Sequence, residues 1–127
     1  MRRMCIITAA ALAFALIVCS FGHICVTKIV HHARHLRTQA IEHMDRGEIQ
    51  AAEETLVQLA QYLKDKQGYL EILCEHEDLH AIKEQIIDAQ ASIEFGSRED
   101  FYQAIYRFGE RLEHIADVES VRFSNLY

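Results

Sequence analysis

The chain has 127 residues, 13 basic and 19 acidic side chains for a net charge of −6, five Gly, and neither Pro nor Trp. Once an apolar N-terminal stretch is set aside, that length leaves room for one compact domain and no second core, and the scarcity of breakers excludes a turn-dense β-sandwich or barrel. Charge is segregated: Lys28, Arg34, Arg37 and Arg46 against Glu42 and Asp45 give +2 up to Arg46, whereas 17 acidic and 7 basic residues from Gly47 onward give −10, a balance that excludes nucleic acid as a partner of the acidic part.

After the charged start Arg2-Arg3, residues Met4 to Thr27 run apolar, broken only by Thr8, Ser20, Gly22 and His23. A helix of about 20 apolar residues crosses the hydrocarbon core of a bilayer, so residues 1–27 are expected to form a short cytoplasmic tip and a single transmembrane anchor, and residues 28–127 an acidic helical domain. A cleaved signal peptide is the alternative, with Ser20 and Gly22 as the small residues of a cut. Apolar character continues through Ile24, Cys25 and Val26, which favours the anchor. A lipoprotein cut before Cys19 is disfavoured by Val18, where a small residue is expected. Arg2 and Arg3 nearly balance Lys28, Arg34 and Arg37 under the positive-inside rule, and the preferred orientation exports the C-terminal domain. Lys28, Arg34 and Arg37 form a basic collar suited to anionic lipid headgroups.

Beyond the span, Ile29, Ala33, Leu36, Ala40 and Met44 place one apolar stripe on a helix continuing out of the membrane, with a break at Arg46-Gly47. Ile49, Ala52, Leu56, Leu59, Leu63, Leu70 and Leu73 keep one seam in phase past Gly68, with Lys66 as its polar gap, so one helix is expected from about Glu48 to Cys74. Phase is lost at Glu75-His76-Glu77-Asp78, where a turn is expected and Asp78 is placed to cap the next helix. A new seam runs Leu79, Ile82, Ile86, Ala89, Ile93 and ends at Phe95-Gly96. Ser97-Arg98-Glu99-Asp100 resembles a capping box for a last helix carrying Phe101, Ile105, Phe108, Leu112 and Ile115. The result is an all-α chain of about four helices, either two stacked, weakly repeat-like hairpins or a plain four-helix bundle. Cys74 stands alone outside the span, so no internal disulfide is available to the domain, and it is expected to serve as a small core hydrophobe.

His76-Glu77-Asp78-Leu79-His80 fits the H-E-x-x-H pattern, in which two imidazoles one helical turn apart hold zinc and the Glu activates water. Three features oppose a zinc hydrolase here. The apolar seam breaks at this point, Asp78 puts a charge where an uncharged residue is usual, and only Glu94 and Glu99 offer themselves as a third ligand. The expected reading is a helix junction with His76 partly buried, His80 solvated, and no metal or cofactor. His31, His32, His35 and His43 form a second cluster, in which His31 and His35 have the spacing to share a metal or to sense pH; a polar face beside headgroups is preferred. Glu53, Glu54, Glu75, Glu77 and Asp78 read as solvated faces and a capped junction. Tyr62, Tyr69, Tyr102, Tyr106 and Phe108 are candidates for a partner patch, with core packing the commoner role of such spacing.

The segments Gly47 to Leu56, Ile72-Leu73-Cys74-Glu75-His76-Glu77 and Leu112-Glu113-His114-Ile115, and the ending Glu119-Ser120-Val121-Arg122-Phe123-Ser124-Asn125-Leu126-Tyr127, resemble the domain of unknown function 4363 family. These are small membrane-anchored proteins of Gram-positive bacteria, many of them spore formers. The resemblance implies the single span and the helical domain, and it implies no activity. It also places an acidic residue where His80 stands, which weakens the zinc reading. The expected function is a non-enzymatic accessory or adaptor that engages a membrane or envelope protein, or a second copy of itself.

Overall fold

A computed structural model describes residues 1–126 as five helices, with no strand among the described residues. They are α1 (Arg2–Asp45), α2 (Ile49–Asp65), α3 (Gln67–Leu73), α4 (His76–Phe95) and α5 (Arg98–Leu126). Tyr127, the last residue of the family-like ending, lies outside the described residues.

Helix α1 runs unbroken for 44 residues. Its first half is long and apolar enough to cross a membrane, and none of that apolar window is buried by the rest of the chain. Met4, Ile6, Ile7, Leu12, Phe14 and Ile17 all point outward. In its second half Val26, Ile29, Val30, Ala33, Leu36, Ala40 and Met44 are buried along one stripe. Packing reaches up into the apolar segment as far as Gly22, whose missing side chain admits Leu73: a Cβ there would lie 3.0 Å from the Leu73 Cδ2.

The α1–α2 turn is closed at Gly47, whose φ of 76° is open to glycine at little cost. The Gly47 N–H donates to the Met44 carbonyl and the Glu48 N–H to the His43 carbonyl, the paired bonds of a Schellman ending. Ile49 does not join the α2 stripe as its spacing predicts and is 49% exposed, because α1 has already ended at Asp45 and offers nothing beneath it. Thr55 is buried instead, its hydroxyl satisfied by the Ala51 carbonyl at 2.8 Å.

The single helix expected from Glu48 to Cys74 is divided in two. The interruption falls at Lys66 (φ −95°, ψ 4°), the polar gap in the seam, and not at Gly68. The Lys66 N–H still donates to the Tyr62 carbonyl and the Leu70 N–H to the Lys66 carbonyl, so α3 continues the run of α2. Cys74 and Glu75 are extended and make the turn into α4. At the far end the Asp100 N–H donates to the Ser97 Oγ at 3.2 Å, so Ser97 caps α5 as the capping-box pattern predicts.

The helices close into a ring in which α1 packs on α2 and α5, and α4 packs on α5 and α2. This is a four-helix bundle built from two side-by-side hairpins. Near the apolar half of α1 its core contains Leu59, Leu63, Leu70, Ile82, Ile86, Phe108, Leu112 and Ile115. At the distal end Ala40, Ala52, Ala89 and Ala104 let the helices approach around Phe101. Burying Phe101 and Phe108 completely contributes roughly 2–3 kcal/mol each.

Among the polar links across the α1–α5 face, that of Arg37 depends on a glycine. Arg37 passes over Gly109 and donates from Nε to the Ile105 carbonyl at 2.9 Å, with its guanidinium 5.6 Å from the Tyr106 ring centroid. A Cβ on Gly109 would sit 2.5 Å from the Arg37 Cζ, so the glycine makes room for the arginine. Gly109→Ala is expected to lower stability by roughly 1 kcal/mol, the displaced Arg37 bond outweighing the gain in helix propensity. In an Arg37→Ala background the same change is expected to stabilise by a similar ~1 kcal/mol. Thermal unfolding of the full chain in detergent, followed by circular dichroism, reads this sign reversal, and equal shifts in both backgrounds would refute the coupling.

Candidate functional site

The H-E-x-x-H segment forms the first turns of α4. The extended backbone of Cys74 and Glu75 makes His76 the first helical residue, so the partial burial expected of it does not occur and it is exposed. Glu77 and His80 are exposed as well, and His80 Nε2 lies 3.2 Å from Glu84. The expected third ligands are remote: Glu94 is ~21 Å further along the same helix, and Glu99 opens α5 at that distal end. Among the described residues no group of three or more His, Cys, Asp or Glu side chains is placed to hold a metal ion.

Asp78, between the two histidines, faces the other way. Its side chain is 5% exposed, and its Oδ1 accepts a 2.9 Å hydrogen bond from the Arg111 Nη1 and lies 3.9 Å from the His114 Nε2. It is therefore neither the cap of α4 nor part of a solvated face, as its place in an acidic run predicts. The N-cap position belongs to Glu75, and Asp78 is the buried carboxylate that ties α4 to α5. Sitting in the first turn of α4, it also faces the positive end of that helix.

Of the histidines beyond the apolar segment, His31 and His35 share one exposed face a turn apart, and no third His, Cys, Asp or Glu joins them among the described residues. His31 and His35 are exposed on α1, His32 packs on the Tyr62 ring with centroids 4.3 Å apart, and His43 Nδ1 lies 3.3 Å from Glu48. Of the basic collar, Arg34 pairs with Glu113 at 2.6 Å and Arg37 is bonded to α5, so both are turned onto the bundle. Phe108 belongs to the core, Tyr62 and Tyr102 are half-buried, and Tyr69 and Tyr106 are exposed.

A further surface feature lies between α2 and α4. Buried Leu63 and Ile86, half-buried Ala60 and exposed Ile87 line a groove of ≈ 280 Å³ there, with Lys64, Gln67, Lys83 and Gln90 as its polar lining. Ile87 is 61% exposed, and Val57, one turn before Ala60 on α2, is 55% exposed. In a part of the chain with 17 acidic residues, its only lysines are Lys64, Lys66 and Lys83, and two of them border this one apolar groove. Sequence periodicity misses the groove because Ile87 stands off the α4 seam. The signal that could have found it is an isolated β-branched residue beside a lysine on an otherwise polar face.

The family model described as domain of unknown function (DUF4363) matches residues 21–126, and the chain belongs to that family. The match begins where the packed part of α1 begins, beside Gly22. No curated protein and no solved structure matches the chain.

Two outcomes follow from the Asp78 region. Arg111→Ala leaves a buried carboxylate without its partner and is expected to destabilise the full chain by about 2–3 kcal/mol, whereas Asp78→Leu with Arg111→Leu recovers much of that loss; equal melting temperatures for native chain and Arg111→Ala would refute it. Cys74 packs against the core, and burial, reinforced by Glu119 and Asp78 and opposed by Arg122, pushes its thiol up to about 11. With Cys5, Cys19 and Cys25 replaced, alkylation of Cys74 is therefore expected to rise about tenfold per pH unit from neutrality to beyond pH 10. A plateau near pH 9 would contradict the shift.

Proposed function

We propose that this member of the DUF4363 family is a non-enzymatic, single-pass membrane adaptor whose α2–α4 groove receives an acidic amphipathic helix of another membrane or envelope protein. The groove carries the reading. It offers an apolar floor between lysines, in a domain whose other charges are largely acidic, so it favours an apolar stripe flanked by Glu or Asp. The exposed apolar half of α1 supports the anchor, and the exported orientation of the bundle is part of the same proposal. The exposed pairs His76 and His80, and His31 and His35, each lack a third ligand among the described residues and so supply no comparable argument for catalysis or metal sensing.

The test places a photo-crosslinking amino acid at Ile87 in the full-length protein in its native membranes, with Phe95, 84% exposed at the distal end of α4, as control. A discrete heterologous adduct is expected from Ile87 and not from Phe95, and it should be lost when Lys64→Glu and Lys83→Glu are combined. An adduct at twice the mass of the chain would assign the groove to self-association. Equal labelling from both positions, or none from Ile87, would overturn the docking role.

A further inference from the structure

Chain geometry places the membrane-proximal end of the bundle at the lipid surface itself. The apolar run from Met4 to Phe21 is ~26 Å long as a helix, already close to the thickness of a hydrocarbon core. Packing begins at the next residue, Gly22, against Leu73 at the end of α3, and α1 contains no linker between the two. Beside it, the His23 ring stacks on Phe123 of α5 at 4.0 Å and lies 4.0 Å from Glu119. The last turns of α3 and α5 are thus level with the residues at which the span must leave hydrocarbon.

Two exposed apolar side chains on α3 mark this end. Ile72 is 83% and Tyr69 52% exposed, and Val121 of α5 is 59% exposed. Ile72 is not part of the core of this chain, and what separates it from a similarly exposed side chain such as Phe95 is its place beside the apolar end of α1. Arg122 fixes its position by donating from Nη1 to the Leu73 carbonyl at 3.4 Å, with Nη2 3.8 Å from Glu75.

We infer that α3 is a membrane-seating element: Ile72 enters the boundary between headgroups and acyl chains, Tyr69 lies at headgroup depth, and Arg122 spans the polar layer beside them. The occupant of this surface is the bilayer, and the lipid contact runs through α3 in addition to any made by the basic collar. This inference rests on the membrane reading above.

Because the chain has no Trp, each Trp introduced is a single reporter. Ile72→Trp, Tyr69→Trp, Phe14→Trp and Phe95→Trp variants of the full chain would be reconstituted in phosphatidylcholine vesicles brominated near the carbonyl end or near the middle of the acyl chain. Ile72→Trp is expected to lose most of its emission to the shallow bromines and less to the deep ones. Phe14→Trp should show the reverse order, and Phe95→Trp no quenching. Tyr69→Trp, at a second exposed position, should follow Ile72→Trp with weaker quenching. Quenching of Phe14→Trp with none of Ile72→Trp or Tyr69→Trp would overturn the seat and leave the span intact. An unquenched Phe14→Trp would remove the span, and the seat with it.

Discussion

Helix α1 carries two kinds of surface on one unbroken set of backbone hydrogen bonds. In the upper half an apolar window is left unburied by the rest of the chain, the surface that a lone helix would need in hydrocarbon. In the lower half only one stripe is apolar and the face turned away from it carries His31 and His35. The changeover occurs within about a turn at Gly22 and His23. Every other element is arranged around the buried stripe: α2 and α5 flank it, and α4 closes the ring opposite.

Helix α5 takes most of the specific polar links. Tyr102 donates to Asp45 at the distal turn, Arg37 and Glu113 join it to α1, and Arg111 joins it to the buried Asp78 of α4. Exposed pairs such as Arg34–Glu113 add little stability individually. Their geometric effect is larger, because an apolar stripe alone permits sliding by a turn whereas a buried carboxylate with one partner does not. The Asp78–Arg111 pair therefore acts as a register pin, and the Gly109 gap under Arg37 acts similarly on the α1–α5 face.

Most of the fold was legible in the sequence because it rests on helical period. The stripes Ala33 to Met44, Leu79 to Ala89 and Phe101 to Ile115 are buried as their spacing dictates, and the turns at Gly47 and Ser97 follow from local backbone chemistry. What failed was information held by neighbours. Ile49 keeps the period but overhangs the end of α1. Asp78 sits in an acidic run that reads as solvated, and only the arrival of Arg111 from a helix distant in sequence makes its burial affordable. The break at Lys66 was visible as a gap in the seam, yet the phase kept past Gly68 argued for one continuous helix. The candidate site was the least legible part, since the groove is lined by residues of two helices that α3 separates in sequence. Histidine spacing, which is local, sets His31 with His35 and His76 with His80 one turn apart on exposed faces, and packing brings no third ligand to either pair among the described residues.

The absence of a joint in α1 has a mechanical meaning. Between Gly22 and Asp45 the helix is a rod of ~35 Å, and the bundle is clamped to it along that whole length. In the proposed single-pass arrangement, tilting α1 by ~10° about the membrane surface would carry the Gly47 turn sideways by ~6 Å at that rod length, and rotating it would swing the α2–α4 groove around the membrane normal. The anchor would then also be a lever arm. Bilayer thickness and neighbouring helices, by setting its angle, would decide how far from the lipid and in which direction the groove is presented.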